Sequence, residues 1–214
     1  MHLNLAQCKT VAYIFGHLES LGEMLFHYGA FHMARSVFYS LAPGQRIHPN
    51  VVNAMILLAA VAASRRFLVR TWFLPSTFAT AVLAGAPLGE LDEAYADSYM
   101  AATKSLRHVF VPVAEPDCAW YLLLIDLKKL LVFSLDVYRS AVSTAKKKAD
   151  IETLRHVVGS IFLLERHLWN FPRYILDPSL FGDVCYPDRI PHDLSRLALN
   201  PLNLRLFSHG FTQK

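Results

Sequence analysis

Apolar residues recur along this chain at two different periods, and the change from one to the other predicts an α+β fold. Val11, Ile14, Phe15, Leu18, Leu21 and Leu25 repeat at intervals of three and four, which predicts a helical extension over residues 1–40. Leu41-Ala-Pro-Gly44 reads as a turn. Pro49 stands where a helix tolerates a missing N–H, at its first position. Val51, Val52, Met55, Ile56, Leu57, Leu58 and Val61 follow, apolar on every side, which predicts a buried helix ended by Arg65 and Arg66. Phe73-Leu-Pro75 opens an extended passage, and residues 90–105 predict an exposed helix or loop.

The middle of the chain changes character. His108 to Val113 predicts a short strand closed by Pro112 and Pro116. Trp120 to Ile125 predicts a second, Asp126 to Lys129 a tight turn, and Leu130 to Leu135 the return strand ending at Asp136. These strands are almost wholly apolar, so both faces should be covered by helices. The expectation is a small, mostly antiparallel central sheet, with hairpin 120–135 at its heart, flanked by helices. Lys146-Lys147-Lys148 reads as a solvated loop and Asp150 as the cap of a long helix. Its stripe is Ile151, Leu154, Val158, Ile161, Phe162, Leu168 and Trp169, ending before Pro172. Residues 172–214 carry few regular signals and predict an irregular segment.

Composition narrows the function. Of 214 residues, 54% are hydrophobic and 18% charged, which excludes a disordered chain. The net charge of +4 is too small to predict a nucleic-acid partner without a concentrated patch. The mean hydropathy of +0.29 raises the question of a membrane. Two uncharged stretches, 47–64 and 71–89, are too short or too interrupted by Pro and Gly to span one. No signal peptide is evident, so an intracellular protein, nuclear or cytoplasmic, is expected. Cys8, Cys118 and Cys185 have no regular spacing and predict neither a disulfide framework nor a zinc site. His27 and His32, five apart, would not share a helix face, so no metal ligation is expected there, and no cofactor motif is present.

Several ordered segments resemble the ubiquitin-like-protein-specific (SUMO-type) cysteine proteases. They are Leu41–Ile47 with Pro49–Asn53, Phe73-Leu-Pro75, Val109-Phe-Val-Pro-Val113, Ala119-Trp-Tyr-Leu-Leu-Leu-Ile-Asp126 and Leu131-Val-Phe-Ser-Leu-Asp136. The flavour is that of the mobile-element-associated branch. The resemblance implies a papain-like or adenain-like fold over residues 41–171, incomplete here. It implies thiol-dependent cleavage after a Gly-Gly tail and a ubiquitin-like partner. In that chemistry an imidazole takes the thiol proton and an Asp orients the imidazole. The resemblance assigns the Asp role to Asp136 and a substrate-passage role to Trp120.

The chain departs from the family where the chemistry is densest. The general-base position holds Ala119, which cannot accept a proton. The second passage-lining Trp, expected near Arg46, is absent. The nucleophile segment is not recognisable. Cys185 lies at a suitable distance after Asp136, but Pro187 and Pro191 forbid the helix that should begin there. His108, on the neighbouring strand, is a remote substitute for the lost base. The expectation is a degenerate or truncated copy without activity. A pseudoenzyme that binds a ubiquitin-like protein, or a structural or DNA-associated protein of a mobile element, are the alternatives.

Overall fold

A computed structural model describes residues 4–16, 20–29, 31–65, 70–103, 105–115, 119–136, 144–164 and 184–185. The chain divides into two compact units, residues 1–54 and 55–214.

In the first unit the helical pattern stops early. Helix α1 (Leu5–Phe15) begins with a capping box, in which Asn4 and Gln7 each bond the other's backbone N–H, and Gly16 ends it. The expected helix does not continue to residue 40. Residues 24–34 instead form an antiparallel hairpin, β1 (Met24–Tyr28) and β2 (Phe31–Ala34). Two local features explain the difference. Gly29 takes the left-handed conformation at φ +58°. Around it the apolar positions alternate, so Phe26, Phe31 and Met33 pack inward while His27 and His32 stay exposed. Then come α2 (Arg35–Phe38), a 3-10 turn (Tyr39–Leu41) and α3 (Pro49–Ser64), which starts at Pro49 as expected. The boundary between the units falls inside α3. Met33, Val51 and Ala54 centre the first unit's core, with Phe26, Phe31, Val37, Phe38, Leu41 and Ile47 around them.

The second unit is built on a five-stranded sheet of order β3-β4-β5-β6-β7. Its strands are β3 (Thr71–Phe73), β4 (His108–Ala114), β5 (Trp120–Asp126), β6 (Leu131–Asp136) and β7 (Val184–Cys185). The two central pairings are antiparallel and the two outer ones parallel. The predicted hairpin is present to within a residue at each end. Pro112 lies inside β4 rather than closing it. Phe110 turns its backbone oxygen to Leu74 at 2.9 Å, on the β3 side. Pro112, two residues on, turns the same way but beyond the end of β3, so its missing N–H costs no ladder bond. The hairpin turn is closed by Asp126, whose Oδ1 accepts the N–H groups of Lys128 and Lys129 at 3.0 Å each.

Three helices cover one face of this sheet: α4 (Ser76–Leu83), α5 (Leu88–Tyr99) and α6 (Thr144–Phe162). The core between them holds Trp72, Phe78, Leu91, Val109, Val111, Leu123, Ile125, Val132, Ile151, Leu154, Val158 and Phe162. On the opposite face Phe110, Leu124 and Phe133 are buried as a separate cluster. Residues 90–105 are therefore helical to Tyr99, with Leu91 and Ala96 buried. Helix α6 starts at Thr144, not at Asp150, so the Lys146–Lys148 run is helical rather than a loop. Leu168, Trp169 and residues 172–214, apart from β7, lie outside the described residues. Among the described residues no helix is long and apolar enough to cross a membrane.

The first unit buries one full positive charge. The Arg35 guanidinium donates to the backbone oxygens of Tyr13 and Ile14 at the end of α1 and pairs with the Glu23 carboxylate. It also lies 4.5 Å from the centre of the Tyr13 ring, and the Tyr13 hydroxyl donates to Glu23. The helix end gains a cation, which its dipole favours. No residue of α1 is fully buried, and beside this clasp it is held by the Phe15 ring set edge-on to Tyr39 at 5.7 Å and by the Tyr39 hydroxyl, which donates to the Gly16 oxygen. Arg35→Ala should release α1 at a cost of about 2–3 kcal/mol, seen as faster amide exchange in residues 5–15. The hydrogen bonds from Tyr13 and Arg35 hold the Glu23 carboxyl below its ordinary value of 4.5. Its contribution is thus present above that value and lost as the pH falls through the lower folded one. Glu23→Gln should remove this acid-linked loosening of α1, which nuclear magnetic resonance shifts of the α1 amides would follow.

Candidate active site

The register of β5 and β6 places Asp136 directly opposite Tyr121. Residues opposite one another in an antiparallel pair share a face, and so do residues two apart on one strand. Ala119 therefore lies on the face of Tyr121 and Asp136, at a diagonal reach of about 7–8 Å from Asp136. Across β4, the Glu115 N–H donates to the Ala119 oxygen at 2.9 Å, which sets Glu115 opposite Ala119. Glu115, Ala119, Tyr121 and Asp136 thus form one patch at one end of the sheet, on the face that α6 covers.

Lys147 of α6 reaches into that patch. Its side chain is only 6% exposed. Its ammonium is ion-paired and hydrogen-bonded to Asp136 Oδ2, lies 3.9 Å from Glu115 Oε1, and sits 4.1 Å from the centre of the Tyr121 ring. Three of the four residues of the patch hold this charge, and Ala119 is the fourth. Two carboxylates and an aromatic face supply the counter-charge that a buried ammonium needs. Chemically the group can only donate, because an ammonium has three N–H bonds and no lone pair.

Sequence reasoning missed Lys147 by treating the run as solvated. The signal was present. Stepping back from Ile151 along the stripe of Ile151, Leu154 and Val158 by one helical interval of four lands on Lys147. Lys146 and Lys148 point away and are exposed, so the basic run offers two surface charges, not three.

The other candidates are scattered. Trp120 is 8% exposed and, one residue from Tyr121, belongs to the opposite face of β5. His108 pairs with Asp126, its Nε2 3.9 Å from Asp126 Oδ2, at the turn end of the hairpin. Six residues of β4 separate it from the Ala119 end, about 20 Å at about 3.3 Å per residue, so it cannot serve as a base beside Asp136. The Cys185 backbone pairs with Phe133 in β7. Cys8 is exposed on α1, and Cys118 lies outside the described residues. Among the described residues no group of three or more His, Cys, Asp or Glu is placed to hold a metal ion.

Comparison with solved structures gives this arrangement a context. The SUMO protease Ulp1, with its catalytic cysteine oxidised to a sulfenic acid, superposes at a TM-score of 0.65 and 18% identity. The alignment covers 90% of this chain and 78% of that one. The C-terminal Ulp1 protease domain in complex with Smt3, the yeast orthologue of SUMO, gives 0.64 and 17% over the same shares. This chain has the fold of a SUMO-protease catalytic domain. The Ulp1-like SUMO protease catalytic domain of Chaetomium thermophilum matches at 0.50 and 16%, covering 78% of this chain and 68% of that one. No protein-family model and no curated protein matches the sequence.

Within this SUMO-protease fold the Lys147 cluster has a measurable weight. Removing one partner of a buried ion pair leaves the other charge uncompensated. Lys147→Met should lower unfolding stability by about 3–5 kcal/mol, and Asp136→Asn by less, because Glu115 still faces the ammonium. The double variant should lose about 1–3 kcal/mol less than the sum of the two, as a urea-denaturation cycle would show. Additive losses would mean that the pair is not coupled.

Proposed function

We propose that this chain is a ubiquitin-like protease domain that does not cleave and that acts by binding a ubiquitin-like protein. The inherited chemistry would be thiol-dependent hydrolysis after a Gly-Gly tail, with Asp136 as the orienting acid. The observation that carries the reading is the patch itself. The position beside Asp136 from which an imidazole would reach the carboxylate holds the methyl of Ala119. That carboxylate already has a partner in Lys147. A thiol becomes a nucleophile by losing its proton to a neighbouring base, and neither Ala119 nor an ammonium takes one. An acid that orients a base has nothing to orient.

The fold remains suited to a partner. Ulp1 engages Smt3 with the same architecture. In this reading Trp120 is a contact residue, of the type that anchors interfaces. Lys146 and Lys148 alone give little support to a DNA-associated role, since non-specific phosphate binding needs many cations acting together.

The test is incubation with a panel of ubiquitin-like proteins carrying a C-terminal electrophile, followed by intact-mass measurement. No covalent adduct is expected. An adduct would overturn the non-cleaving reading, and peptide mapping would choose among Cys185, Cys118 and Cys8. Calorimetry with the unmodified panel should detect binding, weakened about tenfold by Trp120→Phe, equivalent to about 1.4 kcal/mol. Phenylalanine is the better probe because Trp120→Ala in a buried strand would cost about 3–5 kcal/mol of stability. Folded protein that binds none of the panel would sink the binding role.

A further inference from the structure

We propose that His27 and His32 form a two-imidazole site for a divalent transition-metal ion on the outer face of the β1–β2 hairpin. The observation is the register, which sets His27 directly opposite His32. Five residues apart on a helix, these side chains would diverge. Opposite one another in an antiparallel ladder, their Cβ atoms are about 4.5–5.5 Å apart and leave the sheet on the same side. That side is the solvent side. Phe26, Phe31 and Met33 fill the core from the other face, and both histidines are exposed.

The chemistry selects the ion. Two imidazole nitrogens, each about 2.0–2.1 Å from a shared metal, can be supplied from side chains at this separation. Imidazole suits Ni²⁺, Cu²⁺ and Zn²⁺, whereas Mg²⁺ and Ca²⁺ seek oxygen. No third His, Cys, Asp or Glu joins the pair among the described residues, so water completes the coordination. The site is then an exchangeable surface chelate rather than a closed structural centre. Its mechanical effect follows from its position. The ladder is irregular between Met24 and Phe26, next to the pair. A metal bridging His27 and His32 would pin the register between that irregularity and the turn at Gly29.

The experiment is a calorimetric titration of the tag-free, full chain with Ni²⁺ at neutral pH. The parent should bind one ion at this site. His27→Gln and His32→Gln should each weaken binding about a hundredfold, because losing one ligand removes the advantage of an intramolecular second contact. His156→Gln, at an exposed position of α6, should bind like the parent. Amide exchange in residues 24–34 should slow on adding Ni²⁺ in the parent and not in either hairpin variant. The proposal fails if the double variant His27→Gln/His32→Gln binds Ni²⁺ as tightly as the parent. It fails equally if His156→Gln abolishes the binding, or if the parent takes up no Ni²⁺.

Discussion

The pairing of β5 with β6 is the constraint on which the rest of the second unit depends. In a ladder with a side-chain period of two, a slip by one residue would exchange every inward and outward position. Here both faces of β5 are apolar, so burial alone does not forbid the slip. The turn does. Asp126 accepts the N–H groups of Lys128 and Lys129, and Leu130 takes the left-handed conformation at φ +53° while its side chain packs on the core. A leucine rarely adopts that conformation, and the apolar contact offsets its cost. The register set there runs six residues along the hairpin and delivers Asp136 opposite Tyr121 at the far end.

That delivery explains why α6 lies where it does at its first turns. A buried ammonium without counter-charge is costly, and a buried pair of carboxylates is no better. Glu115 and Asp136 arrive together at the end of the sheet because β4 and β6 flank β5 in fixed register. Lys147 lies one helical interval before Ile151, on the face α6 turns to the core. The ion cluster therefore closes the end of a layer that is otherwise held by Val111, Leu123, Ile151 and Leu154. Such a cluster adds less net stability than apolar residues of the same shape would. What it does supply is a penalty against any arrangement in which α6 shifts by a residue and leaves one charge unpaired.

The sheet was legible in the sequence because long apolar runs bounded by Pro, Asp and Lys have few other solutions. Helix α3 was legible from Pro49 and its all-round apolar surface. The hairpin of the first unit was hidden, because Leu21 and Leu25 extend a three-and-four spacing by chance across a turn. The clue lay in Phe26, His27 and Tyr28 before Gly29, an alternation too short to outweigh the longer pattern. Lys147 was hidden for a different reason. Three consecutive lysines read as one solvated feature, yet in a helix neighbours point about 100° apart, so three in a row sweep about 200° and need not share one environment. Burial of a charge also depends on partners from β4 and β6, which sequence spacing does not reveal.

Fold and chemistry are separable in this chain because different residues carry them. The core positions of β4, β5, β6 and α6 hold apolar side chains whose volume matters and whose identity can drift, since exchanges that conserve volume are tolerated. That is how an architecture is shared at 12–18% identity with structural neighbours. A base beside Asp136 is a different kind of requirement, met by one functional group or not at all. On the proposed reading, Ala119 stands where a base would, and an alanine there leaves the hairpin ladder unaltered. The Asp136 carboxylate is paired with Lys147, a charge that reaches in from the neighbouring helix. Once that pair has formed, restoring a histidine at position 119 would place a second potential cation against one already held by Asp136. On the proposed reading, a base at position 119 would therefore also need Lys147 moved aside, and a nucleophile besides.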